Sequence, residues 1–347
     1  MNDNTNYNKV KLAMLAMQRH AWEQGVAAQA MYEASTVGKD KDSDARDIFV
    51  GMAYDALLRQ APDGRFCAIG DRTGEFTPIT DCAAIGEVVL RAYELTGDEK
   101  LKNAAEKQLE YLLTKAPRTS SGLICHNTVS FHEGYSDKQV WADGVYMLVP
   151  FLAAMRLPGE AQKQADGYMD SLSDLRTNRL GTGLLYHIYD SESRRYISKK
   201  LWATGNGWTL LGLARLIGLI DATNAVVRVK YVHKVKKLLD AMGKFQCESG
   251  LFRDTLDAAD DDSSTFEDAT SAMMFATCIY RGLVEGWLEG GEYREKADKV
   301  YFAVQNLVGD NGIITGVCGA PHFTSVGTSV EAQAVYIMME VWRAKCG

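Results

Sequence analysis

Apolar residues recur at intervals of three and four along most of this chain, which is the spacing of a helix with one buried face. The runs that show it most clearly are AAIGEVVLRAYELTG, VYMLVPFLAAM, WTLLGLARLIGLI and AQAVYIMMEVW. The alternation with β-branched residues that is typical of a half-buried strand is scarce. The pattern therefore predicts an all-α protein.

The apolar helices recur at a nearly constant distance. Their openings lie 59, 62, 64, 61 and 60 residues apart, at Trp22, Asp81, Asp143, Gly207, Asp268 and Thr328. A second series, in which a glycine precedes apolar residues, runs in step with the first at Gly64, Gly122, Gly183, Gly250 and Gly312. Between the two series lies a more polar helix such as DEKLKNAAEKQLEYLLTK. The chain thus consists of six units of about 61 residues.

A unit of this kind cannot bury its apolar helix alone, so neighbouring units must pack beside one another. Six helical hairpins can close on themselves, with the apolar helices inside and the amphipathic helices outside, as an (α/α)6 toroid. An open solenoid is the alternative. Small residues such as Ala83, Gly86 and Gly207 favour closure, because inner helices crowd near an axis. We expect residues 1–347 to form one (α/α)6 catalytic domain, with the acidic stretch 256–264 as a surface loop.

Composition and charge narrow the function classes. The chain has 347 residues, of which 46% are hydrophobic and 24% charged, a mix that is typical of soluble globular proteins. Its net charge of −7 argues against nucleic acid or an anionic membrane as the partner. No run of about 18 apolar residues predicts a membrane span, and the N-terminal segment lacks the apolar core of a signal peptide. We therefore expect a cytoplasmic protein, either a monomer or a weak homodimer.

The sequence predicts neither a metal nor a cofactor. Its seven cysteines are scattered and form no CxxC pair, so we interpret them as free thiols in a reducing compartment. Their spacing also argues against a metal site. A GxGxxG segment and a P-loop, the usual nucleotide-binding motifs, are both missing from the sequence.

In a toroid, the loops that lead into the inner helices gather on one face, so residues at the helix starts converge. Acids and tryptophans are concentrated there, at Trp22, Glu23, Asp81, Trp141, Asp143, Trp202, Asn206, Trp208, Glu267 and Asp268. Carboxylates can bond sugar hydroxyls, and aromatic rings can cover the C–H faces of a sugar. Two carboxylates near one bond also suit acid–base work on a glycosidic link. The pattern predicts a carbohydrate site with an oligosaccharide as the partner.

Each of these residues also has a structural interpretation. An aspartate at a helix start is commonly an N-cap that stabilises the helix by about 1 kcal/mol, and this stays open for Asp81 and Asp268. The N-cap interpretation is weaker for Asp143, because Trp141 flanks it and the following run is too apolar to need a solubilising charge. The tryptophans could equally be core residues.

Two histidines occupy corresponding repeat positions. His126 in SGLICHNT and His187 in TGLLYHIYD both follow the loop glycine. Each could line the pocket or be a loop histidine with a structural partner. His132, in the next loop stretch, could take the place of His126.

Several segments resemble one known family. VWADGVYMLVPFLAAM resembles the W-x-D-x-x-[YF]-M-x-x-P-[FL]-L segment of the unsaturated glucuronyl and rhamnogalacturonyl hydrolases, glycoside hydrolase families 88 and 105. LWATGNGWTLLGLARLI resembles their W-x-R-G-N-G-W segment, and ITDCAAIGEVVLRAYELTGDEKL their D-x-x-x-x-G helix. The resemblance runs from about residue 10 to 345 and agrees with the six-hairpin repeat.

The resemblance implies an unusual reaction. Enzymes of these families act on oligosaccharides left by polysaccharide lyases, and they hydrate the vinyl ether of a terminal 4,5-unsaturated uronic acid. Asp143 would then be the general acid and base, with a pKa raised by its apolar surroundings. Asp81 matches the family's second acid, and His187 matches a pocket histidine. The tryptophans at 141, 202 and 208 would line the sugar site.

The chain departs from the family at two places. Thr204 stands where the family commonly has an arginine before GNGW, which puts the substrate in doubt. Arg72, Arg195 or Lys199 could supply the missing cation. Gly144 stands where bulkier or polar residues are usual.

Three functions stay open. The first is an unsaturated uronyl hydrolase, with rhamnogalacturonan-type substrates favoured. The second is another (α/α)6 carbohydrate enzyme, such as an ordinary hydrolase or an epimerase that relies on a histidine pair. The third is a non-catalytic descendant that binds sugars, which the threonine at 204 keeps open.

Overall fold

The computed structural model describes residues 5–38, 42–67, 79–127, 136–176, 181–259, 261–320 and 322–347. Its helices are α1 (Thr5–Met17), α2 (Ala21–Val37), α3 (Ala45–Arg59), α4 (Ile79–Ala83), α5 (Gly86–Thr96), α6 (Glu99–Thr114), α7 (Gly144–Met147), α8 (Val149–Ala154), α9 (Pro158–Leu172), α10 (Ala203–Leu219), α11 (Ala225–Met242), α12 (Ala269–Val284), α13 (Gly291–Gln305) and α14 (Val330–Cys346). Its strands are β1 (Gln139–Trp141), β2 (Ile188–Asp190), β3 (Arg195–Ser198), β4 (Phe252–Arg253), β5 (Glu267–Asp268), β6 (Val317–Cys318) and β7 (Val326–Gly327). The predicted dominance of helices is confirmed.

The described helices form a closed ring of six hairpins. The inner positions are held in order by α2, the α4–α5 pair, the α7–α8 pair, α10, α12 and α14, and each packs on the next. Because α14 also packs on α2, the ring closes and the open solenoid is excluded. The outer helices are α3, α6, α9, α11 and α13, and α1 from the beginning of the chain packs on α14 as the sixth. The predicted (α/α)6 toroid is confirmed.

The inner helices are buried almost all round, whereas the outer helices bury one stripe. Every residue of α10 from Ala203 to Ile217 is buried, while α11 buries positions three or four residues apart. Burial of each large aliphatic side chain contributes roughly 1.5–3 kcal/mol, which drives the ring together. A Cβ added at Gly212 of α10 would lie 2.4 Å from the Val145 carbonyl oxygen of α7, so small residues allow the inner helices to touch. None of the helices in the described ranges is both long and apolar enough to cross a membrane.

The glycines of the second repeat series are turn residues. Their φ angles are all positive, at 102°, 81°, 95°, 98° and 81° for Gly64, Gly122, Gly183, Gly250 and Gly312. This left-handed region favours glycine, which has no Cβ. Each turn also lies against the outer helix of the next hairpin, and a Cβ at Gly312 would be 2.2 Å from the Lys9 carbonyl oxygen of α1. The series therefore marks where each unit meets the next, and its last member closes the ring.

Small antiparallel sheets lie on the face where the inner helices begin. Strands β1, β2 and β3 form one sheet in which Trp141 pairs with Ile188, while β4 pairs with β5 and β6 with β7. These strands lead into α7, α10, α12 and α14, so they carry side chains to the mouth of the toroid. The acidic stretch 256–264 lies in the connection between β4 and β5, and its described residues form turns and loop as predicted.

Candidate active site

Asp143 stands between β1 and α7 at the mouth of the toroid. Its backbone has helical torsion angles, φ −55° and ψ −33°, and its carboxylate makes no capping bond to the helix. An N-cap carboxylate would accept a hydrogen bond from a backbone N–H two or three residues further on. The capping interpretation therefore does not hold for Asp143, and its carboxylate, 14% exposed, is left for other partners.

Gly144 lets α7 begin in close contact with α9. An added Cβ at Gly144 would lie 2.3 Å from Cε1 of Tyr168. The Tyr168 ring cannot move away easily, because it is buried and its hydroxyl donates to the Ile124 carbonyl at 2.5 Å. Glycine at this position, a departure from the family pattern, thus has a packing reason.

His187 contacts the Asp143 carboxylate directly. Its Nε2 lies 3.3 Å from Asp143 Oδ2, and its carbonyl accepts a hydrogen bond from Ala142 N at 3.1 Å. Within the described residues, neither Oδ2 nor Nε2 has a well-aligned hydrogen-bond partner. Buried polar atoms are rarely left in this condition, so a ligand hydroxyl would complete both.

Trp141 lies between the two predicted histidines. The His126 ring stacks on the indole with 4.2 Å between centroids and 14° between planes. The His187 ring meets it edge-on, at 5.3 Å and 76°. The indole N–H donates to Gln139 Oε1 at 3.2 Å. The structure therefore brings Trp141, His126, His187 and Asp143, four of the candidate site residues, together.

His126 is a neutral anchor rather than a charged ligand. Burial lowers its pKa to about 4, which leaves the imidazole uncharged at neutral pH. Its Nδ1 lies 2.6 Å from Thr80 Oγ1, and its carbonyl accepts from Ile79 N at 2.6 Å. Both contacts hold the first turn of α4, which carries Asp81.

Asp81 is buried in the first turn of α4, which packs against α7. The charges of Asp81 and Asp143 both raise the pKa of the Tyr168 hydroxyl, although burial is the larger cause. The charges of both candidate acids therefore act on the same tyrosine of α9.

The pKa of Asp143 does not follow the prediction. Burial raises it, as the apolar run after Asp143 suggested, but the close contact with His187 and the charge of that imidazole outweigh burial, joined below about pH 4 by the charge of His126. The net result is a pKa below the ordinary value of an aspartate. The prediction of a raised pKa is wrong, because the sequence did not show that imidazoles face the carboxylate.

Trp202 is held by a residue that the sequence analysis missed. Asp254 Oδ1 accepts from the Trp202 indole N–H at 2.9 Å, and its other oxygen is ion-paired with Lys200. The buried Trp202 ring lies 4.5 Å from the His187 ring, so Asp254 supports the site indirectly, by holding Trp202 in place. Asp254 follows Gly250 by four residues, as His126 and His187 follow their own glycines, and this register could have identified it.

Thr204 is tied to the start of the fifth inner helix. Its hydroxyl donates to Asp268 Oδ2 at 2.9 Å, and the residue is buried. Asp268 also accepts from the backbone N–H groups of Thr270, Ser271 and Cys318. Asp268 is therefore an N-cap, the structural alternative for it, and the Thr204 hydroxyl serves this cap rather than a sugar.

Two further residues of the predicted sugar site have structural contacts. Asn206 is buried. Its Oδ1 accepts a hydrogen bond from Leu185 N, and its Nδ2 donates to the carbonyls of Leu185 and Trp202. Trp208 is buried against Tyr146 with 4.7 Å between ring centroids. These contacts favour the core alternative for both residues over contact with sugar.

Trp22 lies at the start of α2 and is partly exposed. Its ring stacks on His20 with 4.4 Å between centroids, and its N–H donates to Glu331 Oε1 at 2.8 Å. Glu23 closes the turn before α2, since its Oε2 accepts from the backbone N–H groups of Arg19 and His20. Glu331 lies in the first turn of α14 and was not among the candidate residues that the sequence indicated.

Two of the three cations considered for the missing arginine lie on the exposed surface. Arg195 and Lys199 are exposed, and Arg72 lies outside the described residues, as does His132. In the part of the chain that the structure describes, no group of three His, Cys, Asp or Glu side chains is suited to hold a metal ion.

Comparison with known families decides the class of the protein. Residues 1–343 match the family model described as Glycosyl Hydrolase Family 88. The chain belongs to glycosyl hydrolase family 88. This family 88 protein is therefore a glycosidase, and the cluster around Asp143 is its candidate active site.

The family 88 protein has relatives with related names. It is 29% identical over 259 residues to the unsaturated rhamnogalacturonyl hydrolase YesR of Bacillus subtilis (strain 168), which covers 72% of this chain and 68% of the relative. A possible member of the GH105 family from Klebsiella pneumoniae subsp. pneumoniae MGH 78578 superposes with a TM-score of 0.80 at 19% identity, covering 98% of this chain and 92% of that one. A family 105 glycoside hydrolase from C. acetobutylicum ATCC 824 gives 0.77 at 18% identity, covering 97% and 98%. The solved structures share the fold, and the predicted resemblance to families 88 and 105 is confirmed.

Proposed function

We propose that this family 88 protein removes a 4,5-unsaturated uronic acid from the non-reducing end of oligosaccharides that a polysaccharide lyase has produced. Rhamnogalacturonan-type substrates are favoured, because the relative from Bacillus subtilis is named for rhamnogalacturonyl hydrolysis. The observation that carries the proposal is the Asp143–His187 pair, with 3.3 Å between Oδ2 and Nε2, beside Trp141. The proposal places the activity in the whole chain, 1–347, as one domain.

The reaction is a hydration of the alkene. The Asp143 carboxyl gives its proton to C4, and the positive charge at C5 is shared with the ring oxygen. A water molecule adds at C5 and returns a proton to the Asp143 carboxylate. The hemiketal formed at C5 opens to a ketone, and the hemiacetal left at C1 collapses to an aldehyde and releases the next sugar as an alcohol.

Substrate binding favours the protonated Asp143 carboxyl that this step needs. In the free protein His187 lowers the pKa of Asp143. The uronate of the substrate adds a negative charge beside Asp143, and a like charge raises the pKa of a carboxyl. Binding therefore opposes the effect of His187 and favours the acid form, from which the proton can reach C4.

Trp141 provides the face on which the sugar ring would lie. It is partly exposed, and its indole is fixed by Gln139 and by the stacked His126 ring. A ring held on one side by an imidazole keeps its orientation without an entropic loss when a sugar binds. Asp81, on the adjacent α4, would accept a hydrogen bond from a hydroxyl of the same sugar.

The test follows the ultraviolet absorbance of the alkene while the protein acts on unsaturated galacturonyl and glucuronyl disaccharides. We expect the absorbance to decay with wild-type protein and to persist with Asp143→Asn. Asp170→Asn, an exposed aspartate on outer helix α9, is the matched control and should retain the wild-type rate. Decay that continues unchanged in Asp143→Asn would contradict the role of Asp143. No decay in folded wild-type protein with either sugar would contradict the proposed reaction.

A further inference from the structure

A second acidic group lies at the mouth, on the side where α14 and α2 begin. Glu331 is 2% exposed and lies in the first turn of α14. Its Oε1 accepts from the Trp22 indole N–H at 2.8 Å, whereas its Oε2 is buried and has no hydrogen-bond partner among the described residues. A buried carboxylate oxygen without a donor needs an explanation, because it has lost water without gaining a partner.

The ring order places this group across the mouth from Asp143. Helix α14 is separated from α7 by α10 and α12 in one direction and by α2 and the α4–α5 pair in the other. Glu331 and Asp143 both lie at the ends of inner helices that face the mouth. A substrate that binds with its first ring at Asp143 and runs across the mouth would therefore bring a following ring to α14 and α2.

The surroundings of Glu331 are acidic. Glu23 on α2 acts on it as a like charge, and its hydrogen-bond donors are its own backbone N–H, the Trp22 indole and the Ser329 side chain. All three donors are neutral. Burial and the charge of Glu23 raise the pKa of Glu331 to about 7, so negative charge is unfavourable at this position. An anionic group of a substrate would meet the same burial and the same charge of Glu23.

We infer that Glu331 selects the sugar that follows the unsaturated uronic acid: Oε2 accepts a hydrogen bond from a hydroxyl of a neutral sugar, and the carboxyl group rejects a sugar that bears sulfate or carboxylate. The inference rests on the proposed function. Trp22 supports it, since the indole holds Oε1 and lies on His20 at 4.4 Å, which directs Oε2 away from Trp22. Rejection by an unpaired like charge is a common source of specificity.

The test compares two substrates that share the unsaturated uronic acid and differ in the second sugar, one neutral and one sulfated. Wild-type protein should prefer the neutral substrate in kcat/KM. In Glu331→Gln, which keeps the size and one acceptor, this preference should fall by about tenfold, mainly because KM for the sulfated substrate falls. If Glu331 had only a structural role, the substitution would change kcat/KM by the same factor for both substrates.

Glu340→Gln is the matched control, because Glu340 lies on the same helix and accepts from Gln305 of outer helix α13 at 2.9 Å. It should leave the preference unchanged. Trp22→Phe, which removes the indole donor, is the second variant and should raise KM for the neutral substrate. A preference that stays within twofold of wild type in Glu331→Gln, or a wild type that accepts both sugars equally, would overturn the inference. Wild-type protein that hydrates neither substrate would instead contradict the proposed function.

Discussion

At the scale of single residues, the Asp143 carboxylate is governed by its imidazole neighbours more than by its apolar surroundings. Burial alone would raise its pKa, yet His187 and His126 bring it below the ordinary value. A general acid with a lowered pKa loses its proton at lower pH, so His187 limits the pH range in which Asp143 can donate.

We expect His187→Gln to raise the pKa of Asp143, because the substitution removes the positive charge that favours the carboxylate. The basic limb of the kcat/KM profile for alkene hydration should move to higher pH, and the maximal rate should fall by about tenfold as the partner of Asp143 is lost. His233→Gln, on the exposed side of outer helix α11, is the control. A basic limb that stays in place would show that His187 does not set the protonation of Asp143.

Glu331 makes stability depend on pH. Its pKa of about 7 in the folded protein lies above the ordinary 4.5, so the folded state binds the proton more tightly than the unfolded state. Its contribution is fully present below about pH 4.5 and is lost as the pH rises through 7. The loss amounts to at most about 3 kcal/mol.

Glu331→Gln should therefore gain stability relative to wild type between pH 5 and pH 8. The measurement is the free energy of unfolding in denaturant at both pH values. Glu106→Gln, on the exposed side of α6, serves as the control. An equal difference between Glu331→Gln and wild type at both pH values would contradict the buried, uncompensated position of this carboxyl.

At the scale of elements, the contact between α7 and α9 positions Asp143, the proposed general acid. Gly144→Ala would place a Cβ 2.3 Å from the Tyr168 ring, which its hydroxyl bond to Ile124 holds in place. We expect a loss of about 1–3 kcal/mol in the free energy of unfolding, together with a lower rate because Asp143 moves with α7. Gly51→Ala in α3, where nothing lies within 4 Å of the added Cβ, should be neutral or stabilising. Equal stabilities of the two variants would contradict this account.

The three-stranded sheet and the loop glycines have different roles in placing the site residues. The sheet of β1, β2 and β3 brings Trp141 next to Ile188, and so places His187 beside Asp143. The loop glycines set the spacing between hairpins. Site residues can therefore lie about 60 residues apart in sequence and still meet at the mouth.

At the scale of the whole molecule, α1 completes the sixth hairpin and closes the ring on the turn at Gly312. Gly312 has φ +81°, and an added Cβ would lie 2.2 Å from the Lys9 carbonyl oxygen of α1. Gly97 has a similar φ of +71°, but nothing lies within 4 Å of an added Cβ. A substitution at Gly97 therefore measures the backbone strain without the contact.

We expect Gly97→Ala to lower the free energy of unfolding by about 1 kcal/mol and Gly312→Ala to lower it by about 2–4 kcal/mol. The difference between the two losses measures the contact between the Gly312 turn and α1, which closes the ring. Denaturant unfolding followed by circular dichroism measures both. Equal losses would show that the contact between the Gly312 turn and α1 contributes nothing to stability.

The sequence by itself determined the helical class, the six units and the turn glycines, because each of these depends on local spacing or on a single residue's chemistry. It also paired His126 with His187 by their place in the repeat.

Only the tertiary structure decided what each polar group contacts. It joined Thr204 to Asp268, buried Asn206 and Trp208, and revealed Asp254 and Glu331 as partners of the two tryptophans at 202 and 22. It also reversed the expected pKa shift of Asp143. The reason is that hydrogen bonds and Coulomb interactions act over a few ångströms in space. In a closed ring those neighbours come from different hairpins, which no local pattern in the chain brings together.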